Sequence, residues 1–295
     1  LVGSEMCIRD RVQPVLSAVL RSLILLAALL VHDGFCPAAK AQTGGSNRLA
    51  SLSLTQAQVN EDGSYWGLLE FTLANKVKTY WRTPGEAGLP PRFDWTASGN
   101  LADLTLSWPA PMRFEDGGGQ GIGYEKSLSL PIHIKPHDPS KPVVIDLTLY
   151  YAVCETLCLP LHERIRAVFD KSKGVTGVQQ TALQKALQRV PKKQNLGSPD
   201  APSLMQVSGE DDMLRIALKR DPAMPVEDIF VEGPDGWVFG APKPLAGHEQ
   251  IFRVPILERP QRDASLAQLT LAVTLVTASL SSETVLTLDK QGRAP

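Results

Sequence analysis

Apolar and polar residues alternate over short stretches of this chain, and turn-forming clusters keep interrupting them. "RLASLSLTQAQVN" (48–60) alternates at the two-residue period of a strand, "EDGS" breaks it, and "YWGLLEFTLAN" (65–75) supplies the hairpin partner. "ADLTLSWPAP" is a further strand ended by prolines, followed by "SLSLPIHIKP" and "KPVVIDLTLYYAV". "HERIRAVF" then sets Ile165, Ala167 and Phe169 on one side. Between these runs, "TYWRTPGEAGLPPRFDW" reads as a loop dense in Pro and Gly, and "RFEDGGGQGIGY" as a flexible loop. Gly and Pro number 23 each and aromatics are 6%, a balance that suits many short strands better than long helices. This spacing predicts a β-sandwich over 42–170.

Residues 171–200 differ. Ala182, Leu183, Ala186, Leu187 and Val190 share one helical face, with Thr176 as a cap and Pro191 as a stop. "KKQNLGSPDAPS" is a linker, and from Leu204 strand signals resume, with "EGPDG" as a turn. The expected fold class is all-β: two β-sandwich domains (42–170 and 201–295) joined by a short helical linker.

The N-terminus reads as processing sequence. "LVGSEMCIRDRV" resembles a translated sequencing-adapter artefact and is set aside with its Cys7. A secretory signal follows: Arg11 and Arg21 flank the basic region, and "LILLAALLV" is an apolar core of nine residues, too short to span a bilayer. Ala39 and Ala41 form an A-x-A site with cleavage expected after Ala41, which makes 1–41 a removed leader. Cys36 follows "DGF", which lacks the small and aliphatic residues of a lipid-anchor site. The mature chain is expected to be soluble, periplasmic and not inserted in a membrane.

Removing the leader leaves Cys154 and Cys158 as the mature chain's thiols, in a compartment where disulfides form. Other chemistry finds little support. The net charge of −1 gives no reason to expect nucleic acid. "GGGQGIGY" fits no phosphate-loop pattern and no helix follows it. There is no G-x-S-x-G, and His133, His137 and His248 are scattered residues with structural roles by default. No cofactor is expected.

In a straight strand Cys154 and Cys158 would lie about 13 Å apart, so a bond between them requires a tight turn at Glu155–Leu157. The bond would close a loop that stabilises by only about 2 kcal/mol. A redox pair, a structural bridge and a metal site all remain open on spacing. The metal form is Cu(I) held by Cys154, Cys158 and His162. C-x-x-x-C with Pro160 also resembles thioredoxin-related copper chaperones, but the strands around it argue against that fold.

Taken in order, "TYWRTPGEAGLPPRFDW", "WPAPMRFEDGGGQGIGY", "SLSLPI" and "LTLYYAVCETLCLP" resemble the N-terminal periplasmic domain of the thiol:disulfide interchange protein DsbD, closest to ScsB-type relatives. The later region, with "DIFVEGPDGWVFG", resembles the second β-domain of those relatives. The resemblance implies immunoglobulin-like sandwiches and a redox-active pair at Cys154 and Cys158, with Cys158 attacking first. It implies a cap loop at Phe114, Glu115 and Asp116. Glu115, Asp116 and Glu155 would raise a thiol pKa if close. A membrane electron-transfer protein is the implied reductant, and periplasmic disulfide-bearing or thioredoxin-like proteins are the implied clients. Family members continue into a membrane domain and a thioredoxin-like domain. This chain reaches "LDKQGRAP" with neither, which is expected of a truncated gene model or a stand-alone soluble version whose reducing equivalents come from another protein. Two other classes stay in view: a non-catalytic binding module with a structural disulfide, and a Cu(I)-binding protein.

Overall fold

A computed structural model describes residues 48–294 apart from 87, 118 and 220. The adapter-like segment, the signal sequence, Cys7, Cys36 and the cleavage site lie outside the described residues. Among the described residues, no helix is long and apolar enough to cross a membrane.

Strands fill the first half in chain order: β1 (Ala50–Val59), β2 (Tyr65–Leu73), β3 (Lys78–Gly85), β4 (Arg92–Asp94), β5 (Leu101–Leu106), β6 (Met112–Asp116), β7 (Gly119–Glu125), β8 (Ser127–Pro136), β9 (Val143–Cys154) and β10 (Cys158–Phe169). They form two antiparallel sheets, ordered β1-β2-β8-β5 and β10-β9-β3-β7-β6, with β4 also on β9. The sheets meet through alternate residues. Leu54, Phe71, Leu130 and Ile132 come from one sheet and Ile145, Leu147, Tyr151 and Phe169 from the other, all in one buried cluster.

Two stretches depart from the sequence reading. The loop expected at "TYWRTPGEAGLPPRFDW" contains β3 and β4, and the flexible loop expected at "RFEDGGGQGIGY" is the β6–β7 hairpin. Gly121 and Gly123 hide a strand whose apolar face is carried by Ile122 and Tyr124. They are also required there. A Cβ on Gly123 would sit 1.9 Å from the Thr79 carbonyl oxygen, and one on Gly121 would sit 2.5 Å from the Phe114 ring.

Helix α1 (Gly177–Gln188) begins at a capping box, in which Thr176 accepts from the Gln179 backbone and Gln179 accepts from that of Thr176. Leu183 and Ala186 are its buried residues, while Ala182, Leu187 and Val190 are half-buried. The second half carries β11 (Lys192–Lys193), β12 (Leu204–Glu210), β13 (Met213–Leu218), β14 (Val226–Glu232), β15 (Val238–Phe239), β16 (Lys243–Leu245), β17 (His248–Glu258), β18 (Thr270–Thr277), β19 (Ser281–Thr287) and β20 (Arg293–Ala294). Its sheets run β11-β19-β18-β14 and β15-β17-β13-β12-β20, with β16 on β17. Val207, Ile216, Ile229, Leu271 and Val273 lie in its core. "EGPDG" is a turn as expected, and it joins β14 to β15 across the two sheets.

Candidate redox site

The site is built on the outer face of the β10-β9-β3-β7-β6 sheet. Along β9, Leu149, Tyr151 and Val153 point into the sandwich core, so Ala152 and Cys154 face the other way. On β3, Trp81 belongs to the core and Tyr80 to the outer face. Phe114 projects from β6 to the same side. Tyr80, Phe114, Ala152 and Cys154 form a small buried cluster separate from the main core.

Cys154 ends β9 and Cys158 begins β10, and the two are direct cross-strand partners. The turn that sequence arithmetic demanded is therefore a hairpin loop over residues 155–157. Both cysteines are free thiols, with their Sγ atoms 2.7 Å apart. Their surroundings differ: Cys154 is 4% exposed, while Cys158 opens to solvent.

Asp116 lies against both sulfurs. The Cys154 thiol donates to its Oδ1 at 3.0 Å, and Cys158 Sγ lies 3.5 Å from both carboxylate oxygens. The Tyr80 hydroxyl donates to Asp116 Oδ2 and lies 2.9 Å from Cys158 Sγ. Burial, then the hydrogen bond to Asp116 and the neighbouring Cys158, push the Cys154 thiol up to about 12. Burial and the bond to Asp116 likewise hold the Tyr80 phenol well above its ordinary value. Burial alone would raise the Asp116 carboxyl, but Cys154, Tyr80 and Cys158 outweigh it and hold the group below the usual carboxylate range.

The family model for the N-terminal part of the thiol:disulfide interchange protein DsbD matches residues 49–170. Those residues are a DsbD N-terminal-type domain. The chain thus carries a domain of the thiol–disulfide interchange family. Among solved structures, the N-terminal periplasmic domain of ScsB from Proteus mirabilis is similar in fold, with a TM-score of 0.67 and 22% identity over 83% of this chain and 95% of that one. No curated protein matches the chain.

Within the DsbD N-terminal-type domain the residues singled out from sequence separate. Cys154, Cys158, Phe114 and Asp116 come together. Glu115 does not: it lies between Phe114 and Asp116 on a strand, so it points away and is exposed. Glu155 is exposed in the hairpin loop. His162 is on β10, four residues past Cys158, where it faces solvent and stacks on Tyr150 with ring centres 5.9 Å apart. At strand rise that separation is about 13 Å, so the expected Cys154–Cys158–His162 metal set does not assemble. Among the described residues, the atoms that do lie within 4.8 Å of one another belong to Asp116, Cys154 and Cys158. Sequence reasoning missed Tyr80, which sits in a stretch read as loop. The signal available was the apolar "TYW" following a polar turn. Gly88 makes room for it, since a Cβ there would stand 2.6 Å from the Tyr80 ring.

Proposed function

We propose that this protein is a periplasmic electron carrier that reduces client disulfides through Cys154 and Cys158. The observation that carries the reading is the unequal pair, one sulfur open and one shielded, on adjoining strands. Cys158, as thiolate, attacks one sulfur of a client disulfide. A Cys158–client mixed disulfide forms and the client's other sulfur leaves as a thiolate. Cys154 then gives up its proton and attacks the Cys158 sulfur. The intramolecular disulfide forms, the client's second sulfur departs, and two electrons and the two thiol protons have passed to the client. Cys154 is suited to this second role. Its raised pKa keeps it protonated and idle until the mixed disulfide brings a target within reach. A membrane electron-transfer protein returns the pair to the dithiol, and the clients are disulfide-bearing or thioredoxin-like proteins. The division into domains at 42–170, 171–200 and 201–295 belongs to the same reading.

Two measurements test it. Equilibration with thiol buffers should give a reduction potential above about −300 mV, the range below which structural disulfides lie. In Cys154→Ala, mass spectrometry should find a client disulfide-linked at Cys158. A potential below that range, with no adduct, would make the pair a structural bond.

A further inference from the structure

The strands that shield Cys154 are only partly held by their own sheet. β3 pairs with β9 through Lys78 and Thr79, and its register against β7 slips between Tyr80 and Gly85. β6, which bears Phe114 and Asp116, is the last strand of its sheet and pairs with β7. The ladder is therefore interrupted just past Tyr80, and the strand that bears Phe114 and Asp116 is backed by a neighbour on one side.

Two arginines beside those side chains reach into the second half of the chain. Arg82, two positions after Tyr80, donates from Nε to Glu232 Oε1 at 2.8 Å, and from Nη2 to Glu232 Oε2 at 2.6 Å and Glu283 Oε2 at 2.5 Å. Thr83 adds a hydroxyl bond to Glu232 at 2.7 Å. Arg113, next to Phe114, donates to Asp228 Oδ1 at 3.0 Å and to the Ile229 carbonyl at 2.8 Å. Its guanidinium lies 4.7 Å from the centre of the Phe230 ring, whose edge also meets Trp81.

These are not ordinary surface pairs. The Glu232, Glu283 and Asp228 side chains are 12%, 13% and 22% exposed, and Arg113 is 14% exposed. Charge-assisted and bidentate bonds withdrawn from water are the strong kind, and removing one partner leaves an uncompensated charge. The acceptors all lie on β14 and β19, two strands of one sheet. In an extended strand a shift at Arg113 is carried directly to Phe114.

We propose that the second sandwich positions the redox site: Asp228, Glu232 and Glu283 hold Arg82 and Arg113, and through them the strands that keep Tyr80, Phe114 and Asp116 over Cys154. This gives residues 201–295 a role in the exchange reaction proposed above, and it rests on that reading for its purpose. The shielding itself can be measured without a client.

The test is alkylation of Cys154 by iodoacetamide in the full chain carrying Cys158→Ala, at about pH 8, below the ordinary cysteine pKa. Asp228→Asn and Glu232→Gln, singly and together, should speed alkylation by about tenfold or more, the effect of losing one charge-assisted hydrogen bond. Asp228→Glu should restore most of the protection. Asp212→Asn removes an ion pair with Arg259 elsewhere in the same half and should leave the rate unchanged. An unchanged Cys154 rate in variants with native circular dichroism would overturn the proposal, as would equal acceleration by Asp212→Asn. If the double variant does not fold, the single ones decide. Exchange with clients has no part in this assay. A protein that shows the acceleration but never exchanges therefore loses only the functional reading, and one that exchanges without it loses only the positioning role.

Discussion

Replacing Asp116 by Asn should lower the Cys154 pKa by about one unit. The change keeps the shape of the side chain and removes a negative charge whose oxygen stands 3.0 Å from Cys154 Sγ. Two unit charges at that distance would repel by about 5 kcal/mol at an effective dielectric of about 20, equivalent to nearly four pKa units. That exceeds the whole displacement, from 9.0 to about 12, and burial is its largest cause. The bare pair repulsion therefore overstates the effect of the carboxylate, which acts screened and beside a larger contribution from burial. About one unit corresponds to about 1.4 kcal/mol and a tenfold larger thiolate fraction at fixed pH. The assay is the ultraviolet absorbance of the thiolate, titrated in a Cys158→Ala background. Cys158 contributes to the raised value, so the comparison is made against that background rather than the native pair. A pKa that stays put or rises in Asp116→Asn would refute the electrostatic reasoning. A fall below the ordinary 9.0 would refute burial as the leading cause.

Reduced protein should lose stability as pH climbs from about 9 toward about 12, because the unfolded chain releases the Cys154 proton first and the folded one resists. Tyr80 shifts in the same direction, so Cys154→Ala should flatten only part of that slope in denaturant titrations. Gly123→Ala should cost about 3 kcal/mol or more, since its methyl would meet the Thr79 carbonyl, a backbone atom that cannot swing aside. Gly121→Ala should be milder and should speed Cys154 alkylation, because its methyl meets the movable Phe114 ring instead. Thr176→Ala should lower stability by about 1 kcal/mol through loss of the helix cap, read by urea unfolding.

Strands were legible in sequence where one face is apolar and the other polar. β1, β2, β8, β9 and β10 alternate in this way, and the capping residue of α1 was legible for an equally local reason. β6 and β7 were not, because their outer face packs against the site. There the outward positions of β7 are glycines cleared for Phe114 and for the β3 backbone, so the strand signal is halved. β3 was hidden by Pro84 and Gly85 at its end. The cysteines announced themselves by chemistry, and Phe114 and Asp116 by family resemblance. Tyr80 had neither, and it meets Asp116 and Cys158 across 36 and 78 residues of chain. His162 failed for the opposite reason. Its strand was read correctly, and the rise of four strand residues carries it along the same face away from the pair.

The inequality between the two thiols follows from sheet order rather than from the loop between them. As cross-strand partners, Cys154 and Cys158 project from the same face, so a hairpin alone would expose them alike. The order β10-β9-β3 puts Cys154 one strand inside the edge, with Lys78 of β3 opposite it, while Cys158 lies on the edge strand itself. Tyr80 and Phe114, from β3 and β6, bury the inner position, while the Tyr80 hydroxyl that reaches Cys158 Sγ leaves that side chain open to solvent. On the proposed function, a client disulfide approaching the sheet edge would therefore meet Cys158 first, whatever the turn residues are. Closing so short a loop adds only about 2 kcal/mol, while the stability of the sandwich comes from its two-sheet core. The bond can then form and break at the sheet edge without the fold following it. Lengthening the hairpin loop by one or two residues should accordingly weaken the bond while leaving Cys154 the less readily alkylated of the two. A reversal of that order would show that the turn, and not the sheet, sets the roles.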